Sequence, residues 1–259
     1  MTARHLPVAL HVHSTWSFDG RWGLPAIARI FGALGYRAVM MTEHDSGFDP
    51  MRFSEYRDAC RTASNSRCRL IPGIEYSSPD NDIHILTWGL ERFLGEHRPV
   101  SQTLADVRAS NGVAVFAHPA RRDAWRRFDR SWIPLLSGIE IWNRKTDGFA
   151  PGADAIALWK STGLPATVGV DFHRLRHAYP LALEIKADPT ADLEHQIIDA
   201  LRHARHSATV HGRRLIDENG ALRVSELKRA HRAETVRRIL RDLVRVKAKR
   251  RSARGGPGG

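Results

Sequence analysis

Between Val8 and His173 seven short β-rich runs recur, and helical patterns separate most of them. The runs are "VALHVH", "YRAVMMTEHD", "CRLIPGIEYSS", "DIHILTWGL", "VAVFAHP", "GIEIWN" and "PATVGVDFH". In "LPAIARIFGALG", Ile27, Ile30, Phe31 and Leu34 fall at helical spacing with Pro25 near the start. "SQTLADVRASNG" and "GADAIALWKSTG" also read as helices ending in glycine, and "ADLEHQIIDALRHARH" is a stronger one. Such alternation predicts an α/β protein built on a mostly parallel sheet or barrel. The exception is "EYSSPDNDIHILTWG", where two runs follow so closely that they pair as a hairpin. No internal repeat is present.

A chain of 259 residues is long enough for one domain of barrel size. With 42% hydrophobic and 26% charged residues its composition is that of a folded enzyme. No apolar run approaches membrane-spanning length, and "MTARHLPVAL" is too short and polar for a secretory signal. Cys60 and Cys68 form neither a disulfide framework nor a zinc ribbon. These features predict a cytoplasmic protein without membrane insertion. The net charge of +12 is unevenly spread: from Arg223 to Arg254 there are 13 Lys or Arg against three acidic residues, a net +10, which leaves the body at +2. This basic stretch, "SELKRAHRAETVRRILRDLVRVKAKRR", carries a partial apolar stripe of Leu227, Ala230, Val236, Leu240, Leu243 and Val244. The expected organisation is a catalytic body over 1–215, a basic helical extension over 216–250 and an unpacked tail over 251–259. The extension is a candidate nucleic-acid contact; oligomeric state is left open.

The chemistry lies at the ends of the runs. "ALHVH" supplies His11 and His13, which share a face in an extended strand. "MMTEHD" supplies His44, "IPGIE" Glu75, "DIH" His84, "VFAHP" His118, and "VGVDFH" both Asp171 and His173. In a β/α barrel the C-terminal strand ends surround one mouth, so these side chains would converge there. Any one histidine is ordinary; six at strand ends, with Glu75 and Asp171 among them, are not.

The sequence resembles the PHP (polymerase and histidinol phosphatase) family of metal-dependent phosphoesterases from about Pro7 to Pro180. The likeness is carried, in the family's order, by "HVHSTWSFDG", "TEHD", "PGIE", "IHILTWG", "AHP" and "GVDFH". It implies a distorted barrel of seven β/α units and a cluster of three divalent metals. His11, His13, Glu75 and Asp171 would hold the first, with Glu75 bridging to a second on His84 and His118. Asp19, His44 and His173 would hold the third. Nitrogen and carboxylate donors in this mixture suit manganese, zinc or iron. Glu43 stands where many relatives have Asp, and it and Asp45 are expected to orient histidines rather than bind metal. A turn role for Asp45 before "SGFDP" is equally open.

The resemblance implies hydrolysis of a phosphomono- or phosphodiester by a water activated between cations. Asp19 in "SFDG" is similar to the nucleotide phosphatase and RNA-trimming exonuclease group, which favours a nucleotide or oligonucleotide substrate. Arg121 and Arg122, just after the His118 strand end, and Arg174 after "GVDFH" are the expected phosphate contacts, with Arg176 a further choice. Trp125, Trp132 and Trp142 read as packing residues. The competing readings are a histidinol-phosphate-type small-molecule phosphatase, an amidohydrolase-like C–N hydrolase, and a non-catalytic PHP module. Filled ligand positions count against the last.

Overall fold

The structure, a computed structural model, describes residues 4–188 and 191–254, the last helix without the side chains of residues 240 and 242–254. The chain begins with β1 (Arg4–Val12), α1 (Leu24–Ala33), β2 (Ala38–Met41), β3 (Glu43–His44) and α2 (Phe53–Ala63). Next come β4 (Arg69–Ile71), β5 (Gly73–Ser77), β6 (His84–Trp88), α3 (Val100–Ala109) and β7 (Val113–Phe116). Two 3-10 segments lead to β8 (Gly138–Asn143), then α4 (Arg144–Asp147), α5 (Ala153–Thr162) and β9 (Ala166–Gly169). The last elements are β10 (Leu181–Ala187), α6 (Leu193–Arg202), β11 (His206–Val210), β12 (Arg213–Arg214) and α7 (Val224–Arg254).

The strands form two six-stranded sheets, ordered β12-β11-β10-β1-β2-β4 and β3-β5-β6-β7-β8-β9. The sheets run into one another. Thr42 separates β2 from β3 and Pro72 separates β4 from β5, so neighbours in the first sheet continue as neighbours in the second. At the far side the segment after β9 returns to β1: Val170 N donates to Leu10 O, Phe172 N to His11 O and His13 N to Phe172 O, each at 3.0 Å. The apolar side chains of β1, β2 and β8 are buried on both faces, as a sheet covered by helices requires.

Half of the ten strand pairings are antiparallel, more than the alternation of elements predicts. Part of the reason is chain length. Residues 78–83 join β5 to β6, too few for a crossover, so β6 reverses as a hairpin and pairs antiparallel on both sides. The four helical patterns of the sequence appear as α1, α3, α5 and α6. Helix α2 has no counterpart in the sequence reading, although Phe53, Tyr56 and Cys60, its buried residues, lie at helical spacing. Both cysteines are free and buried. No helix among the described residues is long and apolar enough to cross a membrane.

Of the apolar stripe read from the sequence, Ala230 is buried, Leu227 half-buried and Val236 exposed. Among the described side chains of α7 the buried ones are Glu226, Ala230 and Glu234, one face at a spacing of four, whereas Val236 and Ile239 are over half exposed. The residues 240, 243 and 244 of that stripe lie outside the described side chains, and residues 255–259 of the expected tail outside the described residues.

Candidate metal centre

Glu75 organises the site. It sits in β5, 1% exposed, with five histidines around its two oxygens. Oε2 lies 3.3 Å from His11 Nε2, 3.3 Å from His13 Nε2 and 3.2 Å from His44 Nδ1. Oε1 lies 2.6 Å from His84 Nδ1 and 2.9 Å from His118 Nε2. Asp171 Oδ1 faces the same histidines, 3.9 Å from His11 Nε2 and 3.8 Å from His13 Nε2, and is 3.2 Å from His173 Nδ1. Asp19 stands on the solvent side, 2.9 Å from His173 Nε2 and 3.4 Å from His44 Nε2. All nine residues read as ligands from the sequence therefore meet in one place.

Their grouping differs in detail from the implied partition. Ligand atoms within 4.8 Å of one another form the sets His11–Glu75–His118, His11–His13–Asp171 and His13–Asp19–His44–His173. His11 and His13 are each shared between sets. His84 joins Glu75 through Nδ1, while its Nε2 faces Asn81 Oδ1 at 2.7 Å and Arg121 Nη1 at 3.2 Å.

The backbone at these positions is unusual. His11, His118 and Asp171 all have positive φ, at 65°, 25° and 46°. Side-chain-bearing residues seldom adopt this region, and strain of this kind collects where the surrounding structure imposes a particular aim. At His11 the register between β1 and β2 shifts, as a bulge does. Simple strand alternation is therefore not what aims His11 and His13 together; their rings meet at 5.2 Å across a distorted strand end.

Buried partners hold the imidazoles. His11 Nδ1 lies 2.9 Å from Glu140 Oε1, so its proton sits on Nδ1 and Nε2 faces inward. Glu140, wholly buried in β8, also accepts from the His118 backbone N–H at 2.8 Å and from Asn143 Nδ2 at 3.1 Å. Gly169 makes room: a Cβ there would lie 1.8 Å from Glu140 Oε1 and 3.0 Å from His11 Cβ. Glu43 accepts from Ser14 N, Ser14 Oγ and Ser17 Oγ, fixing the turn after His13, and Ser17 Oγ in turn accepts from His44 N at 3.0 Å. The Asp45 carboxylate accepts from Ser77 N and His97 N, tying the segment after His44 to β5 and to the loop at His97, while its N–H donates to Glu75 O and its carbonyl accepts from Phe48 N in the turn.

Burial would lower the pKa of His11, but Glu140, Asp171 and Glu75 together raise it well above the usual value. Against the same burial penalty, Glu75 and Asp19 push His44 up to about 10. Burial also acts to raise Glu75 and Asp171, yet the histidines hold both carboxylates well below their ordinary range. His13 goes the other way, lowered by burial and by His44 and His173. Glu75 and Asp171 are thus held in the ionised form by the histidines around them. His11 Nε2, His13 Nε2, Asp19 Oδ1, Glu75 Oε2 and His118 Nδ1 are buried without a hydrogen-bond partner. Buried unpaired donors and acceptors carry a desolvation cost. Divalent cations on nitrogen and carboxylate atoms would remove it, so the donor set fits the metals that the sequence implies.

The expected phosphate contacts are dispersed. Half-buried Arg121 reaches the cluster edge through His84, with Nη1 also donating to Asn81 O at 3.0 Å. Arg122 pairs with Asp82 at 3.1 Å on the surface. Arg174 and Arg176 line a cavity of about 500 Å³ beside Asp19 and His173. Of the tryptophans, Trp142 is buried and donates to Gly148 O, and Trp132 packs edge-on against Phe128. Trp125 is half-buried and carries Arg126 over its ring.

Glu140 and Lys145 are absent from the sequence reading. Lys145 Nζ lies 3.2 Å from Asp171 Oδ1 and 3.3 Å from His173 Nε2. It is delivered by the short α4, whose start is capped by Asn143 accepting from Lys145 N and Thr146 N. The signal available was position: "GIEIWNRK" is one of the seven runs, and its polar residues also fall at a strand end.

No family model matches the chain, and no curated protein matches it. Solved structures do. A two-domain protein from Bacteroides vulgatus ATCC 8482 containing a predicted PHP-like metal-dependent phosphoesterase aligns with a TM-score of 0.62 at 18% identity, covering 88% of this chain and 69% of its own. PsfC from Pseudomonas syringae PB-5123 aligns at 0.58 and 13% identity, covering 92% and 99%. The lesion-specific endonuclease PfuEndoQ from Pyrococcus furiosus aligns at 0.53 and 16%, covering 77% and 56%. The chain thus has the fold of the PHP-like metal-dependent phosphoesterases, consistent with the PHP-domain family.

Proposed function

We propose that the protein is a metal-dependent phosphoesterase that hydrolyses a phosphomono- or phosphodiester of a nucleotide or oligonucleotide at a trinuclear centre. The observation that carries this reading is Glu75, one buried carboxylate with five histidine nitrogens within 3.3 Å of its two oxygens. A carboxylate so placed suits a bridge between cations. The hydrogen bonds that return the β9 segment to β1 support treating the two sheets as one distorted barrel, with all nine ligands at one mouth.

Manganese, zinc or iron bound there would supply Lewis acidity toward phosphoryl oxygens and acidify a water. The chain's residues do the rest. Glu140 holds His11 in one tautomer, and Glu43 fixes the His13 turn. Arg121, Arg122 and Arg174 offer guanidinium forks to the phosphoryl oxygens, and Lys145 adds a cation beside Asp171. No serine or cysteine nucleophile is required. The nucleic-acid reading draws on the +10 charge of the stretch from Arg223 to Arg254 and on the endonuclease among the proteins of this fold.

The test is elemental analysis of purified protein followed by a screen of phosphoesters with the metals found. His11→Ala or Asp171→Asn should lose metal and abolish hydrolysis while the fold persists. Full turnover with unchanged metal content in either variant would overturn the assignment. Hydrolysis of cyclic amides with no action on phosphoesters would move the protein to C–N bond cleavage.

A further inference from the structure

We infer that helix α7 belongs to the substrate site: Arg237, clamped by Glu234, completes a cationic cavity that receives a second anionic group of the substrate, away from the ester being cleaved. This rests on the phosphoesterase reading and adds a specificity element to it.

The cavity of about 500 Å³ adjoins the metal-competent cluster, because Asp19 and His173 line both. That volume is in the range of small-molecule sites, roughly 300–1,000 Å³. Its other walls carry Arg144, Lys145, Arg174, Arg176 and Arg237. Even with Arg237 paired to Glu234, the other cations of the cavity carry more positive charge than one phosphoryl dianion neutralises. Lys145 is engaged by Asp171, which leaves the arginines as the outer half of the cavity.

Arg237 is there by construction. The Glu234 carboxylate, 7% exposed, accepts from Phe149 N at 2.9 Å, from Arg237 Nε at 2.7 Å and Nη2 at 2.5 Å, and from Arg238 Nε at 2.8 Å. One side chain therefore pins the helix to the loop after α4 and sets the guanidinium's direction. The loop is shaped for it: Gly148 has φ +83°, and a Cβ there would lie 2.6 Å from Glu234 Oε2 and 3.2 Å from Arg237 Nη2. The guanidiniums of Arg144 and Arg237 both lie on the Phe149 ring, 4.3 and 5.6 Å from its centre. Arg144 Nη2 donates to Arg176 O at 3.1 Å, which links it to the next cavity residue, while its buried Nε has no hydrogen-bond partner. Burial and the Arg237 charge both push the Arg144 guanidinium down from its usual pKa, and an anion in the cavity would relieve both.

The experiment compares hexyl phosphate with hexane-1,6-diol bisphosphate, which differ only in a remote second phosphate. Wild-type protein loaded with the metals found on purification should prefer the bisphosphate. Arg237→Ala should lower kcat/KM for the bisphosphate about tenfold through KM, the size of one lost charge-assisted hydrogen bond, and leave hexyl phosphate within about twofold. Arg237→Lys should restore part of the preference. Calorimetry of the bisphosphate on chelator-treated protein reads the cationic wall without turnover, and Arg237→Ala should weaken that binding too. Equal loss on both esters would make α7 a structural prop and overturn the inference, as would no loss on either. If neither ester is hydrolysed but the bisphosphate still binds through Arg237, the phosphoesterase reading fails and the anion site stands.

Discussion

At the scale of residues, the centre depends on side chains that never face the substrate. His11 can aim Nε2 inward only because Glu140 accepts a hydrogen bond from its Nδ1–H, and Glu140 fits only because position 169 has no Cβ. Partners of this kind typically contribute 10- to 100-fold in metal affinity. Glu140→Gln keeps the shape but removes the charge, so metal affinity should fall by about that factor, with near-wild-type circular dichroism. A competition titration giving wild-type affinity would remove Glu140 from the site. The nine candidate ligands were legible because each stands at a strand end or in a quoted motif. Glu140 was not, because a lone glutamate inside "GIEIWN" looks like any half-exposed strand residue until the sheet curves around it. His11 and His13 do face one spot, but not by strand alternation alone, since the backbone at His11 is in the left-handed region.

At the scale of elements, α7 departs most from its sequence pattern. The sequence carries a partial apolar stripe, yet the described docking face is Glu226, Ala230 and Glu234, of which only Ala230 belongs to that stripe. Periodicity finds helices and not their partners: whether a glutamate can be buried depends on Phe149 N and Arg237, and Phe149 is 85 residues away. The pinning hydrogen bonds from Arg237 hold Glu234 down at about 2, below its usual 4.5. A depressed carboxylate stabilises the folded arrangement fully above its unfolded pKa and loses that contribution as pH falls toward the folded one. Docking of α7 should therefore be intact at neutral pH and loosen between about pH 4.5 and 2, with Glu234→Gln showing the looser state already at pH 7. Hydrogen exchange of residues 224–238 checks this, and acid-independent protection would refute it.

For the molecule as a whole, the centre ties both sheets together. His11 comes from the first, Glu75, His44 and His84 from the second, and Asp171 from the segment that returns to β1. A single cation held across them would favour the folded state by mass action, by about 2.7 kcal/mol at a hundredfold excess over Kd. In a chain of this length that corresponds to a Tm shift of about 5–10 °C. Stripping divalent ions with a chelator should lower Tm by this amount, with secondary structure at room temperature unchanged. An unaltered Tm would argue that no metal sits across the sheets. The sequence alone determined the α/β character, four of the main helices, the β5–β6 hairpin and eight of the nine cluster residues, because these depend on local periodicity, on connection length and on which residue types end apolar runs; Asp19 came only from the family resemblance of "SFDG". Tertiary structure decided that half the strand pairs run antiparallel, how His11 and His13 are shared between ligand sets, and which residues surround them. It also brought Arg237 beside Arg144 and Arg176. Those outcomes depend on which distant backbones meet, and contacts such as Glu140 with His11, 129 residues apart, leave no trace in local pattern.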